Sequence, residues 1–146
     1  MNNCICKVVE GKISIDELFH FVSQKNCGAV LIFTGTVRDM NKGKNVISIN
    51  YSAFREMTEK EFYKICDEAF QKWQPCKIAI AHRIGRLLPG DISLAIAVST
   101  THRNEAYEVS RFILEKIKHL APVWKEEFYD DGKKWISTGC SDSLEK

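Results

Sequence analysis

Apolar positions along the chain change period several times, and each change marks a new element. Ser14-Ile-Asp-Glu17 has the spacing of a capping box, and Leu18, Phe21 and Val22 continue a helical stripe, which predicts a first helix over 15–24. The segment from Gly28 to Arg38 is rich in β-branched and apolar residues and reads as a buried strand. The polar, Gly43-containing stretch 39–45 predicts a loop that returns into a second strand, 46–54, as a hairpin. Thr58-Glu-Lys-Glu61 repeats the capping-box signal, and Phe62, Ile65, Cys66, Ala69, Phe70 and Trp73 follow at helical spacing, so a second helix begins there. Beyond Pro75, segments 77–82 and 92–101 predict antiparallel strands around Leu88-Pro-Gly-Asp91, which has the chemistry of a type II turn. Thr100 or Thr101 can cap a third helix, whose apolar face is Ala106, Val109, Ile113, Ile117 and Leu120, until Pro122 ends it. Segments 123–129 and 134–137 enclose Asp130-Asp131-Gly132 and predict a C-terminal hairpin. Hairpins outnumber crossovers, so the fold class is α+β.

The chain has 146 residues, 45% of them hydrophobic and 27% charged, the composition of one soluble domain spanning 1–146, with 138–146 expected to be a loose tail. A formal charge of +2 is too small to mark a nucleic-acid-binding surface. The longest uncharged stretches, 28–37 and 92–101, fall far short of the ~20 apolar residues of a membrane helix. Six cysteines, at 4, 6, 27, 66, 76 and 140, form no Cys-x-x-Cys and no zinc-finger spacing, so no metal is expected. No secretory pattern opens the chain, so the expected compartment is a reducing cytoplasm in which these thiols stay free, with core packing their main task.

No dinucleotide, Walker-type, nucleophile-elbow or zincin motif is present, so the chemistry must come from other groups. Cations stand where strands stop: Arg38, His82-Arg83 and His102-Arg103. The last pair sits at the start of the third helix, where free backbone N–H groups and the helix dipole favour an anion such as phosphate. Each cation also has a structural reading: Arg38 can pair with Asp39, His102 can cap the helix, and His82-Arg83 alternate in a strand. Lys118, in a last helical turn, can simply stabilise the dipole by about 0.3–1 kcal/mol. In the functional reading, Pro122 turns the chain so that Lys118 and the Trp124-Lys125-Glu126-Glu127 segment face one hollow. There, like charge and burial favour a neutral amine able to exchange protons or attack a carbonyl.

Phe33-Thr-Gly-Thr-Val-Arg38, His82-Arg-Ile-Gly85, Pro89-Gly-Asp91, Ser99-Thr-Thr-His-Arg103 and Leu120-Ala-Pro-Val-Trp-Lys125 occur in one order, and together they resemble the family of large, catalytic subunits of molybdopterin synthase. The resemblance covers most of the chain from about Gly28 to Trp135. It implies an α/β hammerhead-type domain with mainly antiparallel strands and three main helices. It also implies a homodimer that becomes a heterotetramer when a small ubiquitin-like carrier binds at each end. The carrier's C-terminal Gly-Gly tail bears a thiocarboxylate, and two sulfurs pass from it to cyclic pyranopterin monophosphate to make the molybdopterin dithiolene, without a cofactor. Carried over to this chain, Lys118 and Lys125 are the catalytic lysines. Arg38, His102 and Arg103 hold phosphate and pterin, Thr36 and Val37 line the pocket, and Glu126 and Glu127 flank it. Some relatives have an arginine that reaches across the dimer after the Trp of the last hairpin. This chain has Ser137-Thr-Gly-Cys140 there, leaving Lys133 or Lys134 as substitutes. The rival reading is a non-catalytic adaptor whose lysines attract the acidic surface of a ubiquitin-like protein.

Overall fold

Two central strands carry large apolar side chains on one face and alanines on the other, and that alternation fixes the layers. The computed structural model describes residues 3–138. Its elements are β1 (Cys4–Val9), α1 (Ile15–Val22), β2 (Ala29–Thr36), β3 (Met40–Asn41), β4 (Lys44–Ala53), α2 (Arg55–Trp73), β5 (Lys77–Arg83), β6 (Gly85–Leu87), β7 (Ile92–Thr100), α3 (Arg103–Leu120), β8 (Val123–Tyr129) and β9 (Lys134–Thr138). One sheet has the order β1-β5-β7-β2, in which β1 and β5 are parallel and the other pairs antiparallel. Along its centre Ile78, Ile80, Leu94, Ile96 and Val98 pack with Phe62, Ile65, Val109, Ile113 and Ile117 of α2 and α3. The intervening Ala79, Ala81, Ala95 and Ala97 form the other face, where the short α1 sets down Leu18 and Val22. Successive strand residues point to opposite faces, so one sequence pattern builds both a thick and a thin layer.

The second sheet runs β3-β4-β8-β9, with β6 also paired to β4. Having left β5, the chain crosses to this sheet as β6 and returns through Leu88–Asp91. That turn is type II as expected: Gly90 has φ +93° and the Asp91 N–H donates to the Leu88 carbonyl at 2.9 Å. The fold is therefore α+β with three helices and mainly antiparallel strands, and the C-terminal hairpin forms around a left-handed Gly132.

Several local expectations are corrected. Strand β2 makes no hairpin with β4; it pairs with β7, and β4 folds back only on the two-residue β3. Helix α2 starts at Arg55, not at a Thr58 cap. Thr58 is buried one turn inside the helix, where its hydroxyl donates to the Pro122 carbonyl at 3.4 Å and ties α2 to the α3–β8 corner. Helix α1 ends at Val22, and the N-cap position of α3 is held by His102, whose side chain makes no capping hydrogen bond, rather than by a threonine; Thr100 instead donates to the His102 carbonyl at 2.6 Å. Cys27 and Cys76 are joined in a disulfide, against the expectation that all thiols are free. The expected loose tail lies, apart from Thr138, outside the described residues, as does Cys140.

His82 sits at the junction of the sheets, 1% exposed, with its ring edge-on to Tyr51 and Nδ1–H donating to the Arg83 carbonyl at 2.9 Å. Burial penalises the charged imidazolium and lowers its pKa from 6.5 to about 4. On acidification the unfolded chain takes up this proton near pH 6.5 and the folded chain only near pH 4, so His82 destabilises the fold progressively across that window. The expected loss is roughly 3 kcal/mol. Urea unfolding at stepped pH should show it, and His82→Phe should flatten the slope between pH 6.5 and 4.

Candidate active site

Three separate elements end at one concavity. The end of β2 supplies Thr36, and the loop after it supplies Val37 and Arg38; the last turn of α3 supplies Lys118; β8 supplies Lys125 and Glu127. Phe33, Gly35, Ile49, Tyr51, Ser93, Leu94 and Leu114 complete the lining. The enclosed volume is about 100 Å³. That suffices for a phosphate or the end of an extended chain, whereas pockets that enclose a whole heterocyclic ligand run to about 300–1,000 Å³.

The Arg38 loop is held by backbone bonds to the type II turn: the Val37 N–H donates to the Asp91 carbonyl at 3.0 Å and the Gly90 N–H to the Val37 carbonyl at 2.8 Å. Pro89-Gly-Asp91 is thus a clamp on the loop that carries the arginine. Strand β2 is also irregular between Gly35 and Thr36, where its register against β7 shifts. Such a bulge re-aims the side chains beyond it. Arg38 itself is exposed, at the mouth of the hollow, while Val37 is buried.

Alternation along β8 sorts the acidic pair. Val123, Lys125, Glu127 and Tyr129 face inward and Trp124, Glu126 and Phe128 outward. Lys125 is 6% exposed and Glu127 2%, and Lys125 Nζ lies 3.4 Å from Glu127 Oε2. The other carboxylate oxygen of Glu127 accepts from Asn41 Nδ2 at 3.1 Å and from the Tyr129 hydroxyl at 3.0 Å. A buried charge survives only when paired and hydrogen-bonded. Glu127 is therefore the counter-ion that allows an ammonium group to sit in the wall of the site, a role that sequence reasoning left out. Asn41, Tyr129 and Tyr51 were likewise missed, although Tyr51 lies directly across from Lys125 in the β4–β8 register.

Of the residues expected from the sequence, Thr36, Val37, Arg38, Lys118, Lys125 and Glu127 line this hollow. Glu126 does not: it lies on the outer face of β8 and pairs with Lys134 at 2.9 Å. His102 and Arg103 do not either. They are exposed at the first turn of α3, whereas Lys118 is in its last, and fifteen residues of helix span roughly 22 Å. His82-Arg83 belongs to the sheet junction, and Arg83 Nη1 approaches Asp91 Oδ2 at 3.8 Å. Thiol catalysis finds no support. Cys4, Cys6 and Cys66 are buried together under α2 and none of them lines the hollow; hydrogen bonding to Cys4 together with burial pushes the Cys6 and Cys66 thiols up, while the hydrogen bonds of the same cluster lower the Cys4 thiol.

The chain and its fold are similar to those of known proteins. The model of the family described as MoaE protein matches residues 8–120. A relative from Halalkalibacterium halodurans named molybdopterin synthase catalytic subunit is 40% identical over 129 residues, 88% of this chain and 83% of that protein. A protein of the same name from Bacillus subtilis is 35% identical over 130 residues, covering 89% and 83%. The crystal structure of molybdopterin synthase from Staphylococcus aureus superposes with a TM-score of 0.86 at 34% identity, covering 94% of this chain and 97% of that one.

Proposed function

The chain belongs to the MoaE family, and from that premise we propose that the hollow between β2, α3 and β8 is where it works as the catalytic subunit of molybdopterin synthase. The observation that supports this placement is the convergence of Arg38, Lys118 and Lys125 from three distant parts of the chain on one cavity. The enzyme is a sulfurtransferase. A small ubiquitin-like carrier threads its C-terminal Gly-Gly thiocarboxylate into the hollow, and two sulfurs pass in turn to cyclic pyranopterin monophosphate. In each transfer the thiocarboxylate sulfur bonds to a carbon of the pterin precursor as that carbon loses an oxygen, one leaving with the phosphate when its ring opens and the other as water, and water then cleaves the thioester to the carrier and returns its carboxylate.

Lys118, half-buried and at the mouth of the hollow, is placed to meet both tail and substrate; Lys125, fixed by Glu127, is a preset positive charge in its wall. Opening the cyclic phosphate ester develops negative charge on oxygen, and fixed cations stabilise that charge better than water that must reorient. A lysine in this position also donates the proton that the leaving oxygen needs. Arg38 holds the phosphate from the rim.

The enclosed space of about 100 Å³ is too small for the whole substrate, and His102 and Arg103 stand at the far end of α3. Both observations support a site completed by a second copy of the chain, whose His102 and Arg103 close over the pterin. The apolar edge strand β2 and the exposed Trp135 and Ile136 of β9 are surfaces that such a pairing would cover. The reading takes the chain as a single domain acting in the cytoplasm; among the described residues no helix is long and apolar enough to cross a membrane.

Reconstitution tests the reading. The chain mixed with thiocarboxylated carrier and cyclic pyranopterin monophosphate should yield a dithiolene product with two carriers consumed per product. A chain that binds the carrier yet yields no dithiolene would be an adaptor instead.

A further inference from the structure

Three of the six cysteines meet on the side of the molecule away from the hollow. Cys4 and Cys6 stand two apart on β1 and so point to the same face, which is the face covered by α2. Cys66, in the middle of α2, comes down onto them: Cys6 Sγ and Cys66 Sγ are 3.6 Å apart, and all three sulfurs lie within 4.8 Å of one another. Their exposures are 6%, 5% and 0%, so the cluster is dry. None of the three is in the Cys27–Cys76 disulfide. The sequence alone predicted no metal ligands, because one ligand is sixty residues from the other two and only the packing of α2 on β1 unites them.

We propose that Cys4, Cys6 and Cys66 form a three-coordinate site for a soft closed-shell cation, copper(I). Three thiolates around an ion at about 2.3 Å each lie about 4 Å from one another in a plane, inside the range that this cluster spans. The donor set is all sulfur, and thiolate sulfur selects soft ions over calcium, magnesium or manganese. Structural zinc almost always takes four ligands. Here three are offered and burial excludes a water as the fourth, whereas copper(I) accepts three sulfurs. No electron moves when it binds; the thiols release protons to solvent as the ion takes their place. An occupied site would staple β1 to α2, and it lies at the β1 edge of the first sheet, apart from the hollow beside β2 at the opposite edge.

The test is an anaerobic titration of the full chain with copper(I), supplied as its acetonitrile complex in competition with a chromogenic copper(I) chelator. It is best done in the Cys27→Ser/Cys76→Ser/Cys140→Ser background, so that only the cluster can bind. One equivalent should be retained, with near-ultraviolet thiolate-to-copper absorption and a raised Tm. Cys66→Ser should weaken retention more than about 100-fold. Cys4→Ala serves as a second variant should Cys66→Ser fail to fold, as judged by circular dichroism. No retention by the background protein, retention unchanged in a folded cluster variant, or displacement of copper(I) by equimolar zinc would overturn the proposal.

Discussion

Lys118→Ala should lower the rate of dithiolene formation about 100- to 10,000-fold while leaving the fold intact, because in the proposed mechanism the residue supplies charge and a proton to the reaction, and it adds little to the core. It is half-buried in the last turn of α3, where the apolar face of the helix is already complete with Ile113 and Ile117. Its loss as a helix C-terminal cation costs only about 0.3–1 kcal/mol. A single-turnover assay with preloaded carrier, read beside a thermal melt, separates the two effects. Glu126→Ala is the matching control: it faces the other side of β8 and should retain the activity of the parent protein.

The second large effect is at Lys125. Lys125→Met removes the counter-charge of a carboxylate that is 2% exposed, and breaking a buried pair by removing one partner costs about 3–5 kcal/mol. The bonds from Asn41 and Tyr129 to Glu127 soften that penalty without replacing the charge. A fall in Tm of roughly 10 °C is therefore expected, together with loss of activity. The double variant Lys125→Met/Glu127→Gln should recover most of the stability and none of the activity. Recovery of both would make the pair structural.

Much of this fold was legible because period survives packing. The stripe Phe62, Ile65, Cys66 and Ala69 is the buried face of α2, and Ala106 to Ile117 that of α3, where Pro122 does mark the end. What local sequence cannot carry is partner choice. Strand β2 and the 46–54 segment are adjacent in sequence, with a loop that suits a hairpin, yet the core needs β2 beside β7, and only the whole chain decides that. Thr58 has the spacing of a cap, but its hydroxyl is used between elements. The candidate site was legible in part: Arg38, Lys118 and Lys125 stand in sequence motifs and line the hollow, while the two-residue alternation along β8 is what separates Glu127 from Glu126. The buried partners Asn41 and Tyr129 carry no local signal, since they meet Glu127 through strand pairing.

The central claim is that one chain's Arg38, Lys118 and Lys125 work with the His102 and Arg103 of another. Protomer mixing tests it. Prepare Lys118→Ala and Arg103→Ala proteins, each inactive alone, then dissociate and re-form them as a one-to-one mixture and assay dithiolene formation. If the site is shared, each mixed dimer has one site with both defects and one with neither, and the mixture should regain about a quarter of the activity of the unmodified protein. A mixture as inactive as its two components, with mixed dimers shown to be present, would contradict the account.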